Sequence, residues 1–228
     1  NPSSLHGKGL EAEKILKKAR KNIHEKLYIK NGQVYFTSGG TESNNLAIKS
    51  AARTFSNRGN HLITSKTEHP SVLNVFQSLE KEGFEVTYLS PDEKGIISLK
   101  DLENSITPET ILVSIMQVNN EIGNIQPVEK IGKIIQKKNK LTLFHVDAVQ
   151  GFGKVYIDPE NYNIDLLSIS GHKIHGPKGV GALFIKQGIE LQPLLHGGGQ
   201  EENIRSGTEN IPGIAGLIPA VNKLPQLS

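Results

Sequence analysis

Cysteine is absent from the 228-residue sequence. Its absence excludes disulfide bonds, thiolate metal ligands and a cysteine nucleophile supplied by this chain. Long apolar runs are absent too, since no segment approaches the roughly 20 residues that a transmembrane helix needs. The opening segment NPSSLHGKGL lacks the apolar core of a signal peptide. The sequence therefore predicts a cytoplasmic protein without a membrane partner.

Charge is only mildly unbalanced, with 26 Lys and Arg against 23 Asp and Glu. The excess of basic residues lies between Leu10 and Lys30, on the predicted solvent-exposed face of an amphipathic helix. Few aromatic residues accompany these charges and no nucleic-acid-binding motif is present. We therefore predict no direct nucleic-acid partner.

Strand-like runs alternate with amphipathic helical runs along most of the chain. The strand-like runs are QVYFT (33–37), HLITS (61–65), EVTYL (85–89), ILVSIM (111–116), LTLFHV (141–146), IDLLSI and VGALFI. This alternation predicts an α/β fold, a mostly parallel sheet flanked by helices, in a single domain over residues 1–228. The last two strands follow each other closely, which allows one of them to run antiparallel.

Polar residues follow the predicted strands, at the sheet edge where α/β proteins bind their ligands. The segment TSGGTESNN runs from a strand through two glycines into a helix, for which we predict Thr41 as the N-cap. Free N–H groups and the helix dipole favour phosphate there, although any tight strand-to-helix turn looks similar. The segment matches neither the nucleotide-hydrolysing nor the dinucleotide-binding glycine motif.

Asp147 ends an apolar strand, where an ionised carboxylate costs several kcal/mol unless it is paired. Its partner is either a structural group, such as a helix N-terminus or a cation of the chain, or the protonated ring nitrogen of a bound cofactor. Lys173 lies on a glycine-flanked connection between two strands. The side chain of a lysine there is either exposed to solvent or takes part in the chemistry of a site.

Histidine and amide side chains complete the candidate set. His172 and His175 are separated by only two residues on a loop without an acidic cluster, so we predict no metal site. His69 suits stacking on a flat ring, and Asn120 and Gln150 suit hydrogen bonds to a phenolate oxygen. Each of these residues alone has an equally simple structural role.

Together these groups fit one molecule, pyridoxal 5′-phosphate (PLP). The glycine turn receives the phosphate, Asp147 keeps the pyridine nitrogen protonated, and His69 stacks on the ring. Lys173 binds the aldehyde as a Schiff base, while the protein supplies orientation and electrostatics.

Seven motifs then point to one family: NPSSLH, TSGGTESNN, EHPSVLN, NNEIGNIQPV, HVDAVQ, SGHKIHGPKGVGAL and GGGQEENIRSGTEN. Together they resemble the cysteine desulfurases, PLP enzymes of aminotransferase class V, from Asn1 to about Ala220. The likeness is to the branch that supplies sulfur for iron–sulfur clusters and thiolated tRNA. It implies the large domain of the fold type I PLP-dependent transferases.

The resemblance also implies a role for each site residue. Lys173 and His69 would be the catalytic residues. Asp147 would contact the pyridine nitrogen of the cofactor, and Asn120 and Gln150 would contact its phenolate oxygen. The residues implied to hold phosphate are Gly40, Thr41, Ser170, His172 and, from the neighbouring subunit of a homodimer, Thr208.

The implied reaction converts L-cysteine to L-alanine and passes sulfur to an enzyme persulfide, from which an acceptor protein takes it. In the family, a further domain carries the cysteine that is persulfidated and an arginine for the substrate carboxylate. Since this chain has no cysteine, we expect a large-domain fragment that cannot form the persulfide itself.

Three other readings use the same residues. A selenocysteine lyase or another class V enzyme would share every cofactor contact. A non-catalytic dimerisation module would retain the pocket without turnover. A phosphate or sugar-phosphate binder would lack the Schiff base.

Overall fold

Seven strands form one mixed sheet in the computed structural model, which describes residues 1–4 and 6–227. The strands span Gly32–Thr37 (β1), His61–Ser65 (β2), Glu85–Leu89 (β3), Thr110–Met116 (β4), Leu143–Asp147 (β5), Leu166–Ser170 (β6) and Gly181–Lys186 (β7). Their order is β1-β7-β6-β5-β4-β2-β3. Strands β3, β2, β4, β5 and β6 are parallel, and β7 is antiparallel to both of its neighbours. The predicted mostly parallel sheet is confirmed, with the antiparallel strand near its end.

Helices cover both faces of the sheet. They span Gly7–Lys26 (α1), Gly40–Thr54 (α2), Pro70–Lys81 (α3), Leu99–Ser105 (α4), Val128–Lys138 (α5) and Ile211–Asn222 (α6). Apolar residues of α2 and α3 pack in one core, and those of α1, α4, α5 and α6 pack in the other. The central strands are buried on both faces, which explains their continuous apolar runs. None of the helices in the described ranges combines the length and apolarity needed to cross a bilayer.

Two local predictions need correction. Helix α2 begins at Gly40 with Gly39 as its N-cap, so Thr41 lies in the first turn and does not cap the helix. The turn before α2 packs closely on the sheet, because a Cβ at Gly181 would lie 2.6 Å from the Gly39 Cα.

Helix α6 was not predicted, because Pro219 and two glycines interrupt its sequence pattern. Its N-cap signal was nevertheless present, since the Asn210 side chain accepts a hydrogen bond from the Gly213 N–H.

A buried histidine links the three central strands. His145 on β5 is fully buried, and its ring nitrogens lie 2.8 Å from the Ser114 Oγ of β4 and 2.9 Å from the Ser168 Oγ of β6. Burial lowers the pKa of His145 to about 3. The ring is therefore neutral and acts as a structural hydrogen-bonding group.

We expect this histidine to make the fold sensitive to acid. A group with a lowered folded pKa contributes stability that is lost as the pH falls from its unfolded pKa, here 6.5, towards the folded value of about 3. In urea titrations, we compare the unfolding free energy of the wild type with that of His145→Asn. As the pH is lowered from 6 to 4, the wild-type value minus the variant value should decrease by about 1.4 kcal/mol per pH unit. A difference that does not change with pH would show that the imidazole accepts a proton without unfolding.

Candidate active site

A cavity of about 320 Å³ opens at the carboxyl ends of the parallel strands. Its volume lies in the range of roughly 300–1,000 Å³ that is typical of ligand sites. It is lined by Gly40, Thr41, Asn44, His69, Ser71, Met116, Val118, Asn120, Asp147, Val149, Gln150, Ser170, His172 and Lys173. Nine of the ten predicted site residues are therefore brought together, and Thr208 is the exception.

Asp147 forms the polar floor of this cavity at the end of β5. Its side chain is 5% exposed, and it accepts hydrogen bonds from the Val149 N–H at 2.9 Å and the Asn44 amide at 2.7 Å. No Lys, Arg or His of the described residues forms an ion pair with it. Burial raises the pKa of Asp147, while both hydrogen bonds and the nearby His69 oppose the rise. The carboxyl is thus oriented by two donors but lacks a cationic partner within the described chain.

A chain of hydrogen bonds joins this carboxyl to His69. The amide nitrogen of Asn44 also donates to the Ser71 Oγ at 2.9 Å, and that oxygen lies 2.8 Å from the His69 Nδ1. His69 is the N-cap of α3, and its Nδ1 accepts the Ser71 N–H at 3.1 Å. The same contacts therefore fix the start of α3 and the orientation of the imidazole.

The N-terminus of α2 forms one wall of the cavity. Gly40 and Thr41 open this helix, and its first N–H groups have no carbonyl of their own helix to donate to. The Ser170 Oγ, which also lines the cavity, lies 2.9 Å from the His172 Nδ1. Burial and the charges of Lys173 and Lys178 lower the pKa of His172, which favours its neutral form. Backbone N–H groups of α2 and the hydroxyls of Thr41 and Ser170 line this part of the cavity, a set of donors suited to an anion.

Lys173 stands on a 3₁₀ turn, Gly171–Ile174, that directly follows β6. The turn is anchored by the Gly171 N–H, which donates to the Val180 carbonyl at 2.9 Å. It ends at His175, which adopts a left-handed conformation with φ 64°. The lysine side chain is half-buried at the cavity edge and forms no salt bridge with a described residue.

Thr208 lies outside the cavity of its own chain. It is exposed in a separate depression that also involves Glu201 and Arg205. Its segment is held to the body by two ion pairs, Arg205 with Glu42 at 2.7 Å and Arg20 with Glu201 at 2.8 Å.

Five lining residues were missed by the sequence analysis: Asn44, Ser71, Met116, Val118 and Val149. Asn44 had a usable signal, since it lies three residues after Thr41 on the same face of α2. The others are neighbours of predicted residues, and their contacts depend on how the strand ends meet.

The comparisons with known proteins can now be added to this geometry. The model of the aminotransferase class-V family matches residues 1–227. The chain belongs to this family. It is 51% identical over 221 residues to "Cysteine desulfurase IscS" of Clostridium botulinum strain Hall, and 49% identical over 220 residues to "Cysteine desulfurase, mitochondrial" of Eremothecium gossypii. These alignments cover 97% and 95% of the chain but 55% and 44% of the relatives, so the chain spans about half of their length.

Solved structures of similar chains agree with the observed fold. A structure titled "NIFS-LIKE PROTEIN" superposes with a TM-score of 0.94 at 47% identity, covering 97% of this chain and 60% of that one. "SspA in complex with cysteine" superposes with a TM-score of 0.94 at 46% identity, covering 99% of this chain and 65% of that one. The predicted resemblance and fold class are confirmed, and cysteine desulfurases and class V aminotransferases are PLP-dependent.

We expect Asn44 to stabilise the buried Asp147 carboxylate. Asn44→Leu removes the donor to Asp147 and should lower the unfolding free energy by about 2 kcal/mol in urea titrations. Asn45→Leu is the matched control, because this neighbouring amide bonds only the Thr41 carbonyl at an exposed position. It should change stability by no more than about 0.5 kcal/mol.

A double-mutant cycle separates the hydrogen bond from general packing. If the Asp147 contact is responsible, Asn44→Leu should cost clearly less when Asp147 has already been replaced by Asn. An unchanged cost in that background would attribute the loss to packing alone.

Proposed function

We propose that this chain is the PLP-binding large domain, residues 1–228, of a cysteine desulfurase. The whole protein would convert L-cysteine to L-alanine and pass sulfur through a persulfide to an acceptor protein for iron–sulfur cluster assembly or tRNA thiolation. One observation carries the proposal: a buried carboxyl without a cation lies in the same cavity as Lys173. The 46–51% identity to proteins titled as cysteine desulfurases or as a complex with cysteine supports the choice of substrate.

The chemistry of the cavity fits PLP. A protonated pyridine nitrogen supplies the positive charge that Asp147 lacks, and a buried charge is retained when it is paired and hydrogen-bonded. The two hydrogen bonds from Asn44 and Val149 fix the carboxyl direction before any ligand arrives. We assign His69 to the face of the ring, and Asn120 and Gln150 to the phenolate side.

The phosphate would bind at the α2 wall. Gly40 and Thr41 offer backbone N–H groups there, and Ser170 and His172 offer side-chain donors. The helix dipole adds attraction for the negative charge. Packing leaves no room for a side chain at Gly40, because a Cβ there would lie 2.6 Å from the Val149 Cγ2.

Lys173 would hold the cofactor covalently and then act on the substrate. When bound, PLP supplies an electron sink for the bond broken at the amino acid α-carbon. The Lys173 Nζ would accept the α-proton of the substrate as a general base and later donate it back. The 3₁₀ turn keeps this amine at the cavity edge, within the same wall as Ser170 and His172.

The thiol that receives sulfur is not among these 228 residues, because they include no cysteine. We therefore assign it to another part of the protein or to a partner. This chain alone would bind cofactor and L-cysteine without forming a persulfide.

Thr208 suggests a shared site in a homodimer. Its exposed position outside its own cavity supports a contact with the phosphate bound by a second copy. The ion pairs of Arg205 and Glu201 would hold the segment in a defined place for that contact.

We predict one covalent cofactor adduct. After addition of PLP and reduction with borohydride, peptide mass spectrometry should find the adduct on Lys173, because it is the one lysine among the described residues that line the cavity. Lys173→Ala should remove the adduct and the visible absorption band, whereas Lys178→Ala, from the same loop, should retain both. Adducts distributed over surface lysines in all three proteins would contradict the assignment.

We also predict proton exchange on L-cysteine. In D2O the PLP-loaded chain should place deuterium at the α-carbon of L-cysteine, and Lys173→Ala should slow this exchange at least about 100-fold because the general base is lost. Lys178→Ala should exchange at the wild-type rate. Exchange confined to other amino acids would favour a different class V enzyme, and a loaded protein without any exchange would favour a non-catalytic module.

A further inference from the structure

A second buried carboxyl lies next to the candidate site. Glu68 is 4% exposed, on the connection between β2 and α3. Its Oε1 accepts the Ser65 hydroxyl at 2.8 Å and the Met116 N–H at 3.0 Å. Its Oε2 is fully buried and has no hydrogen-bond partner. A buried oxygen left unbonded is costly, and most costly when it carries charge.

Glu68 and Asp147 lie on either side of the end of β4, Glu68 after β2 and Asp147 at the end of β5. Met116, whose N–H binds Glu68, is also the register partner of Asp147 across β4 and β5. None of the described residues forms a salt bridge with either carboxyl. Two carboxyls that share a buried region resist simultaneous ionisation.

The surroundings of the two carboxyls are unequal. Asp147 has donors on both oxygens and lies near His69, which favours its ionised form. Glu68 has donors on one oxygen only. Among the described residues, three groups face Glu68. The Ser65 hydroxyl of β2 and the Met116 N–H of β4 do not titrate, whereas Asp147 of β5 does. His69, next to Glu68 in the chain, acts on Asp147 and not on Glu68.

Burial raises the pKa of Glu68 to about 8, and the charge of Asp147 adds to the rise, against the hydrogen bonds from Met116 and Ser65. This direction agrees with the geometry. The desolvation of a carboxyl with one unbonded oxygen outweighs two donors on the other.

We propose that Glu68 is an uncharged carboxylic acid in the folded protein, so that the buried pair carries a single negative charge, held by Asp147. Glu68 thereby acts as a positioning residue, which ties the end of β4 to the end of β2 beside the cavity. This charge state concerns the chain without any ligand. Its consequence for the cofactor rests on the proposed function: one net negative charge would balance one pyridinium.

The test is the pH dependence of stability in Glu68→Gln, which keeps the shape of a neutral carboxyl. A group whose folded pKa is raised stabilises the fold below its unfolded pKa, here 4.5, and loses that contribution as the pH rises towards about 8. In urea titrations without PLP, the unfolding constant of the wild type divided by that of Glu68→Gln should increase about tenfold per pH unit between pH 5.5 and pH 7.5. Glu93→Gln, at an exposed position, controls for loss of any carboxyl and should give a constant ratio.

A ratio for Glu68→Gln that is constant over this range would overturn the proposal, because it would mean that Glu68 is ionised in the folded protein. A spectroscopic measurement on the wild type covers the case in which the variant fails to fold. With carboxyl-13C-labelled glutamate, the infrared spectrum at pH 6.5 should contain the carbonyl band of an un-ionised carboxylic acid, shifted by the label, which disappears above pH 8. Absence of a label-sensitive band at pH 6.5 would contradict the proposal. Neither measurement involves PLP, so a failure of the proposed function would leave both results unaffected.

Discussion

The structure of the candidate site depends on the burial of one carboxyl group. Asp147 ends the central strand β5 at 5% exposure, surrounded by the ends of β4 and β6. The described chain gives this carboxyl two hydrogen-bond donors but no cation. A site that fixes a carboxyl without neutralising it is prepared for a ligand that brings a positive charge of its own.

The remaining groups follow from the topology of the sheet. Because β2, β4, β5 and β6 run parallel, the segments after them meet at one edge and contribute His69, Asn120, Asp147 and Lys173 to one cavity. Strand β1 pairs with the antiparallel β7 and therefore runs in the same direction as β6, so it ends at this edge too and leads into α2, whose N-terminus lines the cavity. Hydrogen-bond donors of the α2 N-terminus and the Asp147 carboxyl thereby line the same cavity.

Much of this arrangement could be predicted from the sequence, because strand ends in a parallel sheet collect polar residues in chain order. The strand runs and the candidates His69, Asn120, Asp147, Gln150 and Lys173 were found in this way, whereas Gly40, Ser170 and His172 were named only because of the family resemblance. The N-cap of α2 was predicted two residues too late, at Thr41 instead of Gly39, because a threonine side chain can cap a helix and glycine has no side-chain acceptor. The observed cap has a φ of 154°, a conformation that favours glycine. Helix α6 was missed because proline and glycine weaken its local signal, while its packing against α1 stabilises it in the fold.

The connections between site residues were beyond sequence reasoning. Asn44 and Ser71 join Asp147 to His69 through side-chain distances that only the packing of α2 on α3 determines. Glu68 was read as part of a family motif, and its burial between β2 and β4 depends on register. Thr208 could be placed relative to its own cavity only from the structure.

The most direct test of the central claim is the nitrogen NMR signal of 15N-labelled PLP bound to the chain. If Asp147 is the partner of the ring nitrogen, the bound cofactor should give the chemical shift of a protonated pyridine well above the pH at which the free cofactor loses this proton. In Asp147→Asn, which keeps the shape of the side chain and removes its charge, the signal should move to the unprotonated position. A protonated signal that is the same in both proteins would contradict the account, because another group would then supply the negative charge.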